Sequence, residues 1–230
     1  MKNKLESIQN AIEIWSIQLS DYVANLEFCR ALLSETERTH AEKLIHPADV
    51  ERSILCRGIL RTVLADYLAV IPKLISFERN ENGKPFLRHS EMEFNLSHSN
   101  DRMLIAVTAG RSVGVDIEFH RENVKMTAIA KRWFSPKEQS FFQDANKPKE
   151  TFFDIWSKKE AYVKAKGQGI YFDLPSFTVP LGEKPSVSTF EKNASWFFQT
   201  LKIDPDYSAA VVSEVPIVPI VQRTFGSMTI

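Results

Sequence analysis

The sequence predicts an α+β fold of two similar, pseudo-symmetric halves. Each half is a small antiparallel sheet with helices, and a ligand cleft lies between them. Two observations carry this expectation. Long helical stretches and short strand runs occur twice, once on either side of about Gly110, although sequence identity between the two parts is weak. No Ser/Gly-rich linker separates them, so the halves join rigidly and leave a cleft where they meet. A chain of 230 residues is long enough for one large domain or two small ones. We place an N-terminal half at 1–110 and a C-terminal half at 111–230.

Each element has its own signal. Ile12 to Leu19 reads as a strand with Trp15, Ile17 and Leu19 on one face. Ser34 and Glu37 form a capping box that starts a helix. A longer helix spans about Ala48 to Val70, with Leu60, Val63, Leu64, Tyr67 and Leu68 as its apolar stripe, and Pro72 stops it. Glu93 to Ser97, Met103 to Ala109 and Ser112 to Phe119 read as three strands, with Gly110-Arg111 joining the last two as a hairpin. Glu122 to Trp133 is helical or partly looped. Ser135-Pro136-Lys137-Glu138 is a second capping box with Pro at the first helical position. A helix from about Lys149 to Lys166 ends at Gly167. Trp196 to Ile203 and Ser208 to Val215 pair as strands, and the Pro-rich tail beyond is expected to be peripheral.

Composition excludes little but sets the setting. Apolar residues make up 43% and charged residues 25%, as in an ordinary globular protein. Cationic and acidic residues balance at 29 each, so net charge favours neither nucleic acid nor a membrane. Cys29 and Cys56 are far apart in apolar helical contexts and read as buried hydrophobes. Polar residues soon after Lys2 and Lys4 break any leader-like stretch, and no apolar run approaches the ~20 residues that span a bilayer. The expectation is a cytoplasmic protein.

Five segments carry chemistry. In Val113-Gly114-Val115-Asp116-Ile117-Glu118, strand alternation projects Asp116 and Glu118 to one face and Val115 and Ile117 to the other. Two adjacent carboxylates repel unless a cation intervenes, and Mg²⁺ suits such a pair; a solvated strand end is the plain alternative. Trp156, Glu160 and Lys164 recur at i, i+4 and i+8 on one helix face, where Glu160 and Lys164 also read as an ordinary ion pair. Ser97-His98-Ser99 offers two hydroxyls and an imidazole to a phosphate. Gly83-Lys84-Pro85-Phe86 is a turn with one cation. Arg52, Arg57 and Arg61 supply guanidinium forks on the long helix.

Taken together and in this order, these segments resemble the Sfp-type 4′-phosphopantetheinyl transferases. The pair GVDIE and WSKKEAYVKAKG, with GKP and SHS upstream, carries the resemblance over roughly residues 44–212. It implies a Mg²⁺-dependent enzyme that moves the phosphopantetheine arm of coenzyme A onto a serine of an apo-acyl or peptidyl carrier protein. Coenzyme A would lie in the cleft, held largely by the N-terminal half, with metal and catalytic residues in the C-terminal half. Asp116, Glu118 and Glu160 match the metal ligands, and Asp116 also faces the coenzyme. Lys164 matches the lysine that meets the pyrophosphate, Lys84 and Pro85 the turn beside the adenine, Ser97 and His98 the nucleotide-phosphate motif, and Arg52 the 3′-phosphate arginine. Phe134-Ser135-Pro136-Lys137-Glu138 resembles the family's F-S-x-x-E segment, which implies Glu138 as base. Such two-half relatives usually act as monomers.

One departure stands out. Several relatives carry extra lysines in the early helix for the 3′-phosphate; here the stretch is Ser34-Glu35-Thr36-Glu37-Arg38-Thr39-His40, with only Arg38 and His40 as substitutes. Two other readings stay open on the residues alone: a non-catalytic coenzyme A binding module, and a metal-dependent hydrolase of nucleotide pyrophosphates. Finally, the segment from Phe119 to Phe134 holds Arg121, Lys125, Lys131 and Arg132 against Glu122, together with Val124, Met126, Ile129 and Trp133. It reads as a dock for an acidic carrier domain or as an amphipathic helix packed on the core.

Overall fold

The computed structural model describes residues 4–169, 172–191 and 194–226. A short helix α1 (Lys4–Gln9) leads into strand β1 (Ile12–Gln18). Helices α2 (Leu26–Leu32), α3 (Glu35–Glu42) and α4 (Pro47–Leu68) follow. The two-residue strands β2 (Glu78–Arg79) and β3 (Pro85–Phe86) flank the Asn80–Lys84 turn. Strands β4 (Met92–Ser99), β5 (Arg102–Ala109) and β6 (Val113–Phe119) come next. The second half adds α5 (Met126–Trp133), α6 (Pro136–Gln143) and α7 (Pro148–Lys166), then β7 (Ser186–Glu191), β8 (Ala194–Leu201), β9 (Tyr207–Glu214) and β10 (Ile220–Thr224).

These elements form two four-stranded sheets, ordered β10-β1-β5-β4 and β6-β9-β8-β7. Both are antiparallel except for β10, which lies parallel to β1. Strand alternation explains how they pack. Trp15, Ile17, Met103, Ile105 and Val107 face α4 in one core, while Ile12, Ile14, Leu104 and Ala106 face the other way. That second face meets Val113, Val115, Ile117, Ala209 and Val211 of the other sheet. Both sheets are therefore buried on two sides, each with helices outside, which is why their strands read as nearly continuous apolar runs. An aromatic core around Phe134, Phe152, Tyr162, Phe177 and Trp196 fills the space between α7 and the second sheet.

Both capping boxes form as expected, at Ser34/Glu37 and Ser135/Glu138. The long helix α4 stops at Leu68, with Ala69 left-handed as its cap, slightly short of the expected Val70. Two expectations fail. Gly110, at φ +66°, does turn the chain, but β5 and β6 do not form a hairpin; they belong to different sheets and β6 pairs with β9. Two successive apolar strands look the same whether they pair edge to edge or stack face to face. Nor is the tail peripheral: β10 returns to the first sheet, where the Arg223 Nε and Nη2 donate to the Glu13 carboxylate, each at 3.0 Å.

Candidate active site

The two halves meet where β4 runs beside β6, and side chains rather than a backbone ladder join them. The Val115 amide donates to Asn95 Oδ1 at 2.9 Å, Ser97 Oγ donates to Asp116 Oδ1 at 2.8 Å, and the Phe119 amide donates to Ser99 Oγ at 3.1 Å. Asn95, Ser97 and Ser99 are alternate residues of one strand, so all three reach the same neighbour. On β6, Gly114, Asp116 and Glu118 face α7. A Cβ on Gly114 would stand 2.0 Å from the Ala161 carbonyl oxygen and 2.4 Å from the Ala165 amide nitrogen. Only glycine allows α7 to lie this close to β6, and that approach sets Glu160 and Lys164 beside Asp116.

Asp116 is 3% exposed. Its Oδ1 accepts from Lys164 Nζ at 2.6 Å as well as from Ser97, while Oδ2 is buried with no hydrogen-bond partner. Burial pushes the Asp116 carboxyl up, against the pull of Lys164 and Ser97. Burial, then the Asp116 charge, lifts Glu118 to about 7. The same two causes raise Glu160, with Lys164 opposing. Three carboxylates thus share one lysine, and one of their oxygens is buried without a donor.

Among the described residues, no group of three or more His, Cys, Asp or Glu side chains is assembled to hold a metal. Lys164 Nζ lies 2.6 Å from Asp116 Oδ1. The donor set nevertheless fits a hard cation. It is all oxygen, anionic beyond what Lys164 neutralises, and includes the partnerless Oδ2 of Asp116.

A cavity of about 500 Å³ opens at this junction, lined by Pro85, Asn95, Trp133, Trp156, Glu160 and Lys164 among others. Lys84 lines it too, but its Nζ donates to the Val113 and Ala165 carbonyls at 3.2 and 3.1 Å. Its ammonium ties the turn to the second half rather than standing free, while the residue stays on the cleft wall beside Pro85. Ser97 and His98 are likewise separated by alternation. Ser97 is buried at the junction, whereas His98 is exposed on the other face. Partial desolvation of its ring, then the charges of Arg52 and Lys164, hold the His98 imidazole below its usual range, so near neutrality it is a hydrogen-bonding group rather than a cation. Arg52 is ion-paired with Asp49.

Glu138 is the main correction. It is 0% exposed and each oxygen is occupied: Oε1 accepts from the Val179 amide at 2.8 Å, and Oε2 from the Ser135 amide at 2.7 Å and Lys159 Nζ at 2.9 Å. Lys159, also fully buried, donates onward to the Leu174 and Phe177 carbonyls. A carboxylate so enclosed cannot reach the hydroxyl of an incoming protein, so the base role does not fit this position. Asn95, in contrast, went unnoticed in the sequence. Its signal was present: it sits two residues before Ser97, on the same strand face.

A family profile for the 4′-phosphopantetheinyl transferase superfamily matches residues 112–212, and one for the N-terminal part of a 4′-phosphopantetheinyl transferase matches 15–110. The 4′-phosphopantetheinyl transferase HetI of Nostoc sp. is 36% identical over 72% of this chain and 73% of its own. The transferase psf-1 of Bacillus pumilus is 33% identical over 90% and 89%, and Sfp of Bacillus subtilis is 30% identical over 82% and 85%. The chain belongs to the 4′-phosphopantetheinyl transferase superfamily and is an enzyme of the Sfp type.

Proposed function

We propose that this enzyme takes the 4′-phosphopantetheine group from coenzyme A, transfers it to a serine of an apo-carrier protein and releases 3′,5′-adenosine diphosphate. The observation that carries this reading is the junction itself: Asp116 from β6, Glu160 and Lys164 from α7, and Ser97 from β4 converge at the mouth of a cleft bordered by Pro85. Asp116, Glu118 and Glu160 would hold Mg²⁺, which when bound neutralises charge on the pyrophosphate. Lys164, already poised between Ser97 and Asp116, supplies the mobile positive charge that meets the leaving phosphate. Ser97 orients Asp116 and Lys164 together. Trp133 and Trp156 form apolar cleft walls that exclude water. The N-terminal half contributes the coenzyme wall and the C-terminal half the charged groups. We further propose a cytoplasmic monomer that engages neither nucleic acid nor membrane; among the described residues, no helix is long and apolar enough to cross a bilayer.

The test is direct. The protein is incubated with coenzyme A, Mg²⁺ and an apo-carrier, and the carrier is weighed. A gain of one phosphopantetheine, lost with chelator and in Asp116→Ala, is the expected result. Coenzyme A consumed without that gain would make the protein a hydrolase, and wild-type turnover in Asp116→Ala would remove Asp116 from the site.

A further inference from the structure

The Asn80–Lys84 turn belongs to the N-terminal half, yet its side chains close the end of α7. Asn80 first braces the turn. Its amide donates to the Lys84 carbonyl at 3.0 Å, and its Oδ1 accepts from the Lys84 amide at 2.8 Å and the Asn82 amide at 3.0 Å. So held, the turn presents two donor groups to the other half. Asn80 Nδ2 donates to the Gly167 carbonyl at 2.9 Å, and Lys84 Nζ donates to the Ala165 and Val113 carbonyls.

The last turn of a helix leaves carbonyls without intrahelical donors and carries partial negative charge. In α7 the chain closes two of them itself, through the Gly167 amide onto the Lys164 carbonyl and the Gln168 amide onto that of Val163. The N-terminal half serves Ala165 and, just beyond the helix, Gly167, and it places an ammonium at the negative end. The approach is close: a Cβ on Gly167, whose φ is +66°, would stand 2.9 Å from Asn80 Nδ2 and 3.2 Å from Lys84 Cδ. Burial holds the Lys84 ammonium below its usual range, against the pull of Glu93 and Glu214.

The second carbonyl links the helix to the strand. Backbone groups of a strand alternate between its two edges, so the Val113 carbonyl faces the same edge of β6 as the Val115 amide that Asn95 receives. Lys84 therefore joins that edge to the last turn of α7, one residue from Gly114 on the strand and one from Lys164 on the helix. We propose that Lys84 is a positioning residue for phosphopantetheinyl transfer: its ammonium clasps β6 to the C-terminal turn of α7 and so fixes Lys164 against Asp116. The assignment rests on the roles given to Lys164 and Asp116 in the reading above. It makes the N-terminal half responsible for the alignment of charged groups that the other half carries.

Steady-state turnover with coenzyme A, Mg²⁺ and an apo-carrier, corrected for the folded fraction by thermal melting, tests this on the full chain beside calorimetric titration with coenzyme A. Lys84→Met keeps the stem and removes the donors. It should lower kcat about 10- to 100-fold, the scale of a ~1 Å misplacement, while the Kd for coenzyme A stays within about twofold. Lys84→Arg, which offers donors to both carbonyls, should recover part of the kcat. Asn80→Asp keeps the acceptor that braces the turn and removes the donor to Gly167; Asn82 to Pro85 line the cleft and Asn80 does not, so this variant leaves the wall unaltered. It should lower kcat in the same sense. An unchanged kcat per folded molecule in both Lys84→Met and Asn80→Asp overturns the clasp. So does a Kd that rises with kcat intact, which would make the Lys84 ammonium a contact of the coenzyme. Wild-type kcat in Lys164→Ala overturns the site reading and the clasp with it, whereas loss of kcat there with no effect at Lys84 overturns the clasp alone.

Discussion

Glu138 and Asp116 are both buried carboxylates beside a lysine, and they differ in what each has left to offer. Glu138 spends both oxygens on two amides and Lys159, whereas Asp116 keeps Oδ2 without a partner. Glu138 therefore acts through stability. Glu138→Gln should destabilise the fold by about 3–5 kcal/mol in urea titration, because it strands the Lys159 charge in the core. Turnover per folded molecule should hardly change, and Glu138→Gln with Lys159→Met should recover much of the stability. A variant as stable as wild type with kcat abolished would restore the base assignment. The sequence showed one side of this residue clearly. The S-P-K-E pattern fixed a helix start, but Lys159 and Val179 come from distant segments, and no local pattern records that they close over the glutamate. Asp116 was legible because its partners follow from alternation on one strand and one helix face. The engagement of Lys84 with carbonyls was not, since a turn lysine carries no mark of where its ammonium will go.

At the level of elements, the site depends on α7 lying against β6 at Gly114. Gly114→Ala would force a Cβ into the Ala161 carbonyl, and moving a helix to relieve such overlap costs about 1–3 kcal/mol. The larger loss should be in turnover, because Glu160 and Lys164 move with α7 while Asp116 does not. Thermal melting beside kcat on the same sample separates the two effects; equal, small changes in both would mean the helix position is not critical. Helix α5 resolves the ambiguity of its segment. Val124, Met126, Ile129 and Trp133 pack on the aromatic core, while Arg121, Lys125, Lys131 and Arg132 are exposed, with Arg132 over the Trp133 ring at 4.5 Å. The apolar stripe is thus half-buried against the core, and the charges are the fully exposed groups of the segment. Reversing Arg121 and Lys125 to Glu should raise KM for an acidic carrier several-fold at low ionic strength and converge on wild type in high salt. A flat carrier KM at low salt would clear these residues of any docking role. The strands of both halves were visible as apolar runs, yet which sheet each joined was not, because face-to-face stacking and edge pairing bury the same residues. Strand β10 was hidden for another reason: Pro216 and Pro219 mark a breaker region, and only Ile220 and Val221 precede its polar end.

Across the whole molecule, the chain passes from the first half into the second and back again, and Glu13 fastens the return. Glu13 is 3% exposed, and it accepts from Ser7 Oγ, Tyr67 Oη and Arg223. Burial pushes its carboxyl up, but the hydrogen bonds from Arg223, Tyr67 and Ser7 outweigh it, and the net shift is downward from 4.5. A carboxyl whose folded pKa lies below its unfolded value binds fewer protons when folded. Its contribution is complete above 4.5 and disappears as pH falls through the lowered value. Unfolding midpoints measured on either side of 4.5 should therefore drop more steeply with acid in the wild type than in Glu13→Gln, which should be the less stable protein at neutral pH. Parallel slopes would show that Glu13 titrates alike in both states and does not hold β10.

The late return of β10 also orders events during synthesis. When β5 has emerged from the ribosome, β1 is still an edge strand, and the strand that will cover it ends 115 residues later, the difference between positions 224 and 109. At translation rates of roughly 5–20 residues per second, that edge stays open for on the order of ten seconds. Throughout that interval the nascent N-terminal half offers an unpaired backbone row, with the charge of Glu13 beside it as its built-in deterrent to pairing with a neighbouring chain.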